Sequence, residues 1–321
     1  MQGLETFGVG IGVLAGLLLP IQTCLNSRLR ESVGSPFLSS LISFIGGTVF
    51  LFIVTLCVNG SVLFPLSTFA QNPAWLWLGG LFGVIGLTTN IFIFPKIGGV
   101  QTAILPITGQ IIMGLIIDTF GLFYSAQQTL NITRLLGILL VIAGVVGAVV
   151  LGQKRSHKNL PSDSSPSDGQ DAGLWGWRAL ALGTGFLMAA QSAINGHLGV
   201  VLGSSAKSAF VSFTVGTIVL ALIACVLKLK IRIRVPQGKT KNPWWMYFGG
   251  VLGALFVAGN ALLVPVLGTG LTIMAALTGM ITGSLMVDKF GLLQAPQRAV
   301  TLTQVLSLGV MVVGIALVRL T

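Results

Sequence analysis

Residues 12–50 read GVLAGLLLPIQTCLNSRLRESVGSPFLSSLISFIGGTVF, and residues 184–218 read TGFLMAAQSAINGHLGVVLGSSAKSAFVSFTVGTI. The second stretch is a version of the first. Gln22, Asn26, Leu29, Gly34, Ser43, Phe44, Gly47 and Thr48 return as Gln191, Asn195, Leu198, Gly203, Ser212, Phe213, Gly216 and Thr217. After a one-residue change of register the echo continues. Asn72-Pro73, Gly79-Gly80, Gly83, Asn90, Pro95, Gly98, Asp118, Phe120-Gly121 and Gly144 return as Asn242-Pro243, Gly249-Gly250, Gly253, Asn260, Pro265, Gly268, Asp288, Phe290-Gly291 and Gly314. Two unrelated apolar runs would share Leu and Gly by chance. Gln, Asn, Asp and Pro in the same order mark a duplication, and duplication in a membrane chain points towards transport.

Working outward, hydrophobic residues make up 54% of the chain and charged residues 8%. No charge occurs between Glu31 and Lys96. A bilayer core takes about 20 apolar residues per helix, and backbone polar groups cannot stay unpaired in lipid. The apolar runs predict an all-α polytopic membrane protein with ten transmembrane helices. They fall near 6–27, 36–58, 74–95, 97–117, 135–152, 179–196, 208–227, 244–264, 266–287 and 299–318. Nothing shows the short alternating strands of a β-barrel. Cys24, Cys57 and Cys225 all sit in apolar spans without metal or disulfide spacing, and read as small packing residues. The start lacks a basic segment, and 6–27 is too long for the core of a removable signal.

The predicted organisation is a first five-helix repeat, 1–152, a polar linker, 153–174, and a second five-helix repeat, 175–321. Five is odd, so the second copy must enter the membrane from the opposite face, which makes the repeats inverted. The net charge of +11 reflects topology and not a nucleic-acid partner. Of the 18 Lys and Arg, only Arg134, Lys207 and Arg319 fall on one side of the predicted helices. The positive-inside rule then puts the linker in the cytoplasm and both termini outside. Equivalent loops also exchange their charge. The loop of Arg28 and Arg30 has His197 and Lys207 as its counterpart, whereas Val58 to Asn72 has no basic residue and its counterpart holds six.

The pattern Gln22, Asn26, Leu29, then Ser43, Phe44, Gly47, Thr48, then Gly79, Gly80, Gly83 resembles the YdcZ-type branch of the bacterial drug/metabolite transporter superfamily. The resemblance covers nearly all of both halves outside the linker. It implies a fused, two-repeat secondary transporter of the bacterial inner membrane, moving a small organic metabolite or drug by alternating access. Its partners would be that solute and the lipid bilayer, and its form an internal pseudo-dimer able to stand as a monomer. The alternatives are a non-transporting scaffold or sensor, and a passive channel. Better-known ten-helix members of the superfamily have both termini in the cytoplasm, which opposes the charge count.

Candidate substrate contacts are Gln22, Asn26, Gln191, Asn195, Asn90, Asn260 and Gln110. Gln22 and Asn26 are four residues apart and share a helical face, as do Gln191 and Asn195. Amides in such helices either line a cavity or hold helices together. Gln110 stands out because its repeat is Met280, which suggests an asymmetric pocket. Asp118 and Asp288, at the ends of their helices, are the coupling candidates, expected to be interfacial and solvated. Small multidrug transporters of the superfamily use a carboxylate midway along the first helix, where this chain has Gly, Val and Leu. Gln101 and Thr102 read as helix caps. Trp75, Trp77, Trp244 and Trp245 read as interfacial anchors and not as a stacking cage. No catalytic, metal or cofactor constellation is expected.

Overall fold

A computed structural model describes residues 2–154, 171–236, 241–294 and 300–319. They form helices α1 (Gln2–Val33), α2 (Pro36–Asn59), the short α3 (Ser67–Gln71), α4 (Gly79–Phe120), α5 (Ile132–Lys154), α6 (Asp171–Val201), α7 (Ser205–Val226), α8 (Gly249–Leu267), α9 (Thr269–Phe290) and α10 (Leu302–Arg319). Among the described residues there is no strand. Six helices among the described residues are long and apolar enough to cross a membrane, and Ile104–Phe120 and Ile132–Ala148 are shorter apolar segments. The chain is an all-helical, multi-pass membrane protein.

The repeated sequence makes repeated turns. Gly34 and Gly203 both take a left-handed backbone, with φ of 69° and 63°. Glycine adopts this without the Cβ clash that stops other residues. Ser35 and Ser204 follow, and their hydroxyls accept from the backbone N–H of Leu38 and Lys207, capping α2 and α7.

A break between the third and fourth spans was expected near Lys96. Residues 79–120 are helical throughout, but their contacts with α6 turn round within α4, which a single straight helix cannot do. Gly79 meets Asn195, Gly83 meets Gln191 and Gly86 meets Met188. Lys96 then lies over the Trp177 ring, and Gln101 accepts from Arg178. Gly109 finally meets Leu182 and Gly185. The chain descends α6 and climbs back along it, reversing between Lys96 and Gln101. Gln101 thus binds a neighbouring helix instead of capping its own. Of the expected linker, 155–170 lies outside the described residues. Gln153 and Lys154 belong to α5, and 171–174 to α6.

The most extensive packings join one half to the other: α1 with α8 and α9, α6 with α4, α2 with α7, and α5 with α10. Lipid tails are as apolar as leucine, so helices in a bilayer associate by close packing of small residues. A methyl group on Gly16 would overlap the Ala276 carbonyl, and one on Gly279 the Val13 carbonyl. The counterparts do the same, with Gly185 against the Pro106 carbonyl and Gly109 against that of Leu182. Gly137 and Gly314 face each other between α5 and α10. Helix α9 lies deepest, with nearly every residue from Thr269 to Gly279 buried.

Several charged and aromatic side chains depart from expectation. Arg28 and Arg134 are 6% and 2% exposed, not solvated in loops. Each guanidinium has polar partners inside the fold, as a buried charge requires. Arg28 reaches Glu31, the Lys241 carbonyl and Asn242 Oδ1. Trp75 does join a stack, with Tyr124 at 5.9 Å and His197 at 6.2 Å between ring centroids. Cys57 and Cys225 are exposed and therefore do not serve as packing residues.

The glycine contacts give a direct test. Gly16→Leu should destabilise the protein by about 1–3 kcal/mol, the usual range for overpacking. Gly10→Leu should be silent, since nothing lies within 4 Å of a Cβ there. Melting temperatures in detergent, followed by size-exclusion fluorescence, would compare the two. Equal effects would show that the α1–α9 contact is not held by close backbone approach.

Candidate functional site

At the centre, α2 crosses α7. The Phe44 and Phe213 rings stack with centroids 4.8 Å apart and planes at 26°. One turn away the Thr48 and Thr217 hydroxyls are 2.9 Å apart. Gly47 lies under Phe213 and Gly216 under Phe44, and a methyl group on either would overlap the ring. When residue i touches j and the counterpart of j touches the counterpart of i, the halves are related as a two-fold pair.

The amides follow the same rule. Asn26 Oδ1 lies against Gly249 and Asn195 Oδ1 against Gly79; Gln22 lies against Gly253 and Gln191 against Gly83. Only hydrogen in place of a side chain leaves these amides their space. The Ser39 hydroxyl donates to the Asn26 carbonyl and the Ser208 hydroxyl to the Asn195 carbonyl, tying α2 and α7 to the helices before them. Asn195 also donates through Nδ2 to Ser212 Oγ at 3.2 Å. The amide oxygens of Gln22, Asn26, Gln191, Asn195 and Asn260 are buried without a hydrogen-bond partner. Leaving a buried acceptor unsatisfied costs about 1–3 kcal/mol. Four of these five residues, Gln22, Gln191, Asn195 and Asn260, also line a cavity.

Between the two halves is a cavity of ≈ 340 Å³, at the small end of the range for ligand sites. Gln22, Gln191, Asn195, Asn260 and Gln110 line it. Asn26 is not among its lining residues, and the side chain of Asn90 lies outside the described residues. Phe44, Phe213, Phe256, Met188 and Met280 supply apolar wall. None of the described lining residues carries a charge. Such a space can hold an uncharged solute by amide hydrogen bonds and apolar contact. An ion would lose its hydration there without gaining a counter-charge. Of the aromatic wall, the sequence signals only Phe44 and Phe213, through their repetition. Phe256 and Met188 carry no signal, because apolar residues in apolar spans show no contrast.

Asp118 lies elsewhere and is not solvated as expected. It has zero exposure. Its carboxylate accepts from Arg134 Nη2 at 2.8 Å and from the backbone N–H groups of Thr269 and Gly270 at 2.7 and 2.9 Å. It therefore caps the first turn of α9, where free N–H groups and the helix dipole favour an anion. Gln128 completes the cluster by accepting from Arg134 Nη1 at 3.0 Å. Asp288 is half-buried in the last turn of α9. Neither carboxylate is among the residues lining the cavity.

The fold and the repeat both have counterparts. The family model described as "Putative inner membrane exporter, YdcZ" matches residues 7–147 and again 176–317. No curated protein matches the chain. One solved crystal structure, 15% identical, superimposes with a TM-score of 0.68 over 98% of this chain and 97% of its own. That likeness concerns the fold.

The buried ion pair should be essential to stability. Asp118→Ala strands Arg134 in the interior, and removing one partner of such a pair costs about 3–5 kcal/mol. Arg134→Gln should cost less, because Asp118 keeps both backbone donors from α9. Thermal unfolding of the two purified variants would rank them. Equal losses would mean that capping α9 adds nothing to the ion pair.

Proposed function

The chain belongs to the YdcZ family of membrane exporters, and from that premise we propose a secondary transporter made of two inverted five-helix repeats. It moves a small, uncharged organic solute by alternating access through the cavity between its halves. The observation that carries this reading is the cavity itself, walled reciprocally by Gln22 and Gln191, by Phe44 and Phe213, and by Gly253 and Gly83. In such a two-fold arrangement, rocking one half against the other exchanges equivalent environments around a fixed site. The smooth glycine faces at the crossings favour that motion.

In this reading Gln22, Gln191, Asn195, Asn260 and Gln110 contact the solute. Asn26 buttresses the α1–α8 crossing, and Asn90 is assigned by its repeat alone. The protein works as an internal pseudo-dimer in the lipid bilayer, without cofactor, metal or nucleic acid. The Asp118 cluster is structural, and coupling does not run through a carboxylate at the cavity. The basic loops put the linker in the cytoplasm and both termini outside. The meeting of Arg28 with the Lys241–Asn242 segment supports grouping those loops on one face.

Counterflow in proteoliposomes tests the transport reading. Gln22→Leu and Gln191→Leu should each lower saturable exchange severalfold while leaving the melting temperature nearly unchanged. A loss of stability with undiminished flux would make the glutamines helix glue. Asp288→Asn should largely spare exchange, and loss of pH-driven uptake with intact counterflow would identify it as the coupling site. Non-saturable flux would point to a channel. A folded protein without flux across a broad solute panel would point to a scaffold. For sidedness, single cysteines replacing Ser61 and Lys230 in a cysteine-free chain should label oppositely with an impermeant maleimide, Ser61→Cys from outside. Labelling of Lys230→Cys from outside would reverse the orientation.

A further inference from the structure

The cavity is built on a two-fold plan but is not two-fold in its chemistry. Counterparts in the two repeats are 170 positions apart in this region, as Asp118 and Asp288 are. On that spacing Gln110 corresponds to Met280, and Gly86 to Phe256. All four residues line the cavity. Its symmetric part, Gln22 with Gln191 and Phe44 with Phe213, presents the same groups to both ends of a solute. These two substitutions alone would make the ends differ. Towards the first half stands the Gln110 amide, while Gly86 carries no side chain and makes room for the Met188 thioether. Towards the second half stand the Phe256 ring and the Met280 thioether, with the Asn260 amide one turn from Phe256 on α8.

We infer that the cavity selects an uncharged solute with a hydrogen-bonding group and a flat apolar part, held in a single orientation in which Gln110 reads the polar group and Phe256 and Met280 pack on the apolar part. The inference rests on the cavity being the substrate site. Gln110 offers both an N–H donor pair and a carbonyl acceptor, which fits a primary amide, a urea or a hydroxyl better than a charged group. A thioether and an aromatic face accept a ring edge or face but return no hydrogen bond. A carboxylate or ammonium in either place would be desolvated without a counter-charge. A site that was polar at both ends would hold such a solute either way round. The Gln–Met exchange removes that degeneracy.

The probe is tritiated indole-3-acetamide, with the purified full chain in lipid nanodiscs. Unlabelled 3-methylindole, which lacks the amide, and indole-3-acetate, which is anionic, are the competitors. The native chain should bind the amide saturably, with 3-methylindole competing weakly and indole-3-acetate not at all. Gln110→Met should weaken amide binding about tenfold, the worth of one hydrogen bond, without weakening 3-methylindole. Met280→Gln should weaken 3-methylindole instead. Melting temperatures within a few degrees of the native chain would exclude misfolding as the cause. The inference is overturned if neither neutral indole binds, if both bind the native chain equally, or if Gln110→Met weakens both alike. Discriminating binding without counterflow would sink the transport reading and leave this one standing. Counterflow of indole-3-acetamide that ignores Gln110→Met would do the reverse.

Discussion

Close backbone approach between the halves is the constraint on which the remaining structure depends. Gly80 leaves room for the Ser212 carbonyl and Gly250 for that of Ser43. At these points helices meet at distances that any side chain would forbid. In water, leucines would bring such helices together. In lipid they cannot, and dispersion between tightly fitted surfaces takes over. The amides of Gln22, Asn26, Gln191 and Asn195 lie against further glycines of the same helices. The contacts that hold the protein together therefore also fix the polar lining of its cavity.

The same plan tolerates variation at its ends. Around Asp118 the partners are Arg134 and Gln128. In the second half the corresponding sequence positions hold Gln304 and Arg298, so Arg and Gln have exchanged positions in the repeat. Arg298 lies outside the described residues. Asp118 looked like a solvated edge residue in the sequence because its cation is sixteen residues away, after a turn, and nothing local announces it. The lysine directly after Asp288 has no counterpart after Asp118, where Thr119 stands.

Much of the fold was legible because lipid imposes long apolar runs and because the duplication supplied an internal alignment. Helix α2 starts at Pro36, as expected, whereas α7 starts at Ser205, three residues before the expected 208, behind a Ser204 cap that the apolar pattern does not register. Two spans meeting near Lys96 were expected, and the contacts of α4 with α6 do turn round there, although every residue from Gly79 to Phe120 is helical. For the site, repetition singled out Gln22, Gln191 and Asn195, and the broken repeat singled out Gln110. It could not separate Asn26, which abuts Gly249 outside the cavity lining, from Gln22 one turn earlier. Both are amides on one face of α1, and only the rotation of that face against α8 distinguishes them. Burial of Arg28 and Arg134 was equally hidden, because a charge count treats every cation near a helix end as solvated.

The interleaving of the halves also bears on how such a chain is made. Helices α1, α2, α4 and α5 leave the ribosome first, and their principal partners, α6 to α10, have not yet been synthesised. During that interval the glycine faces of α1 and α5 lie against lipid, and the amides of Gln22 and Asn26 have no Gly253 or Gly249 to rest on. The first half thus enters the membrane with few packing partners of its own beyond the α1–α2 and α4–α5 contacts, and its main packing waits for the second half. Translation speed, and whatever membrane chaperone shields polar helix faces, therefore influence yield in a way that the stability of the finished protein does not reveal.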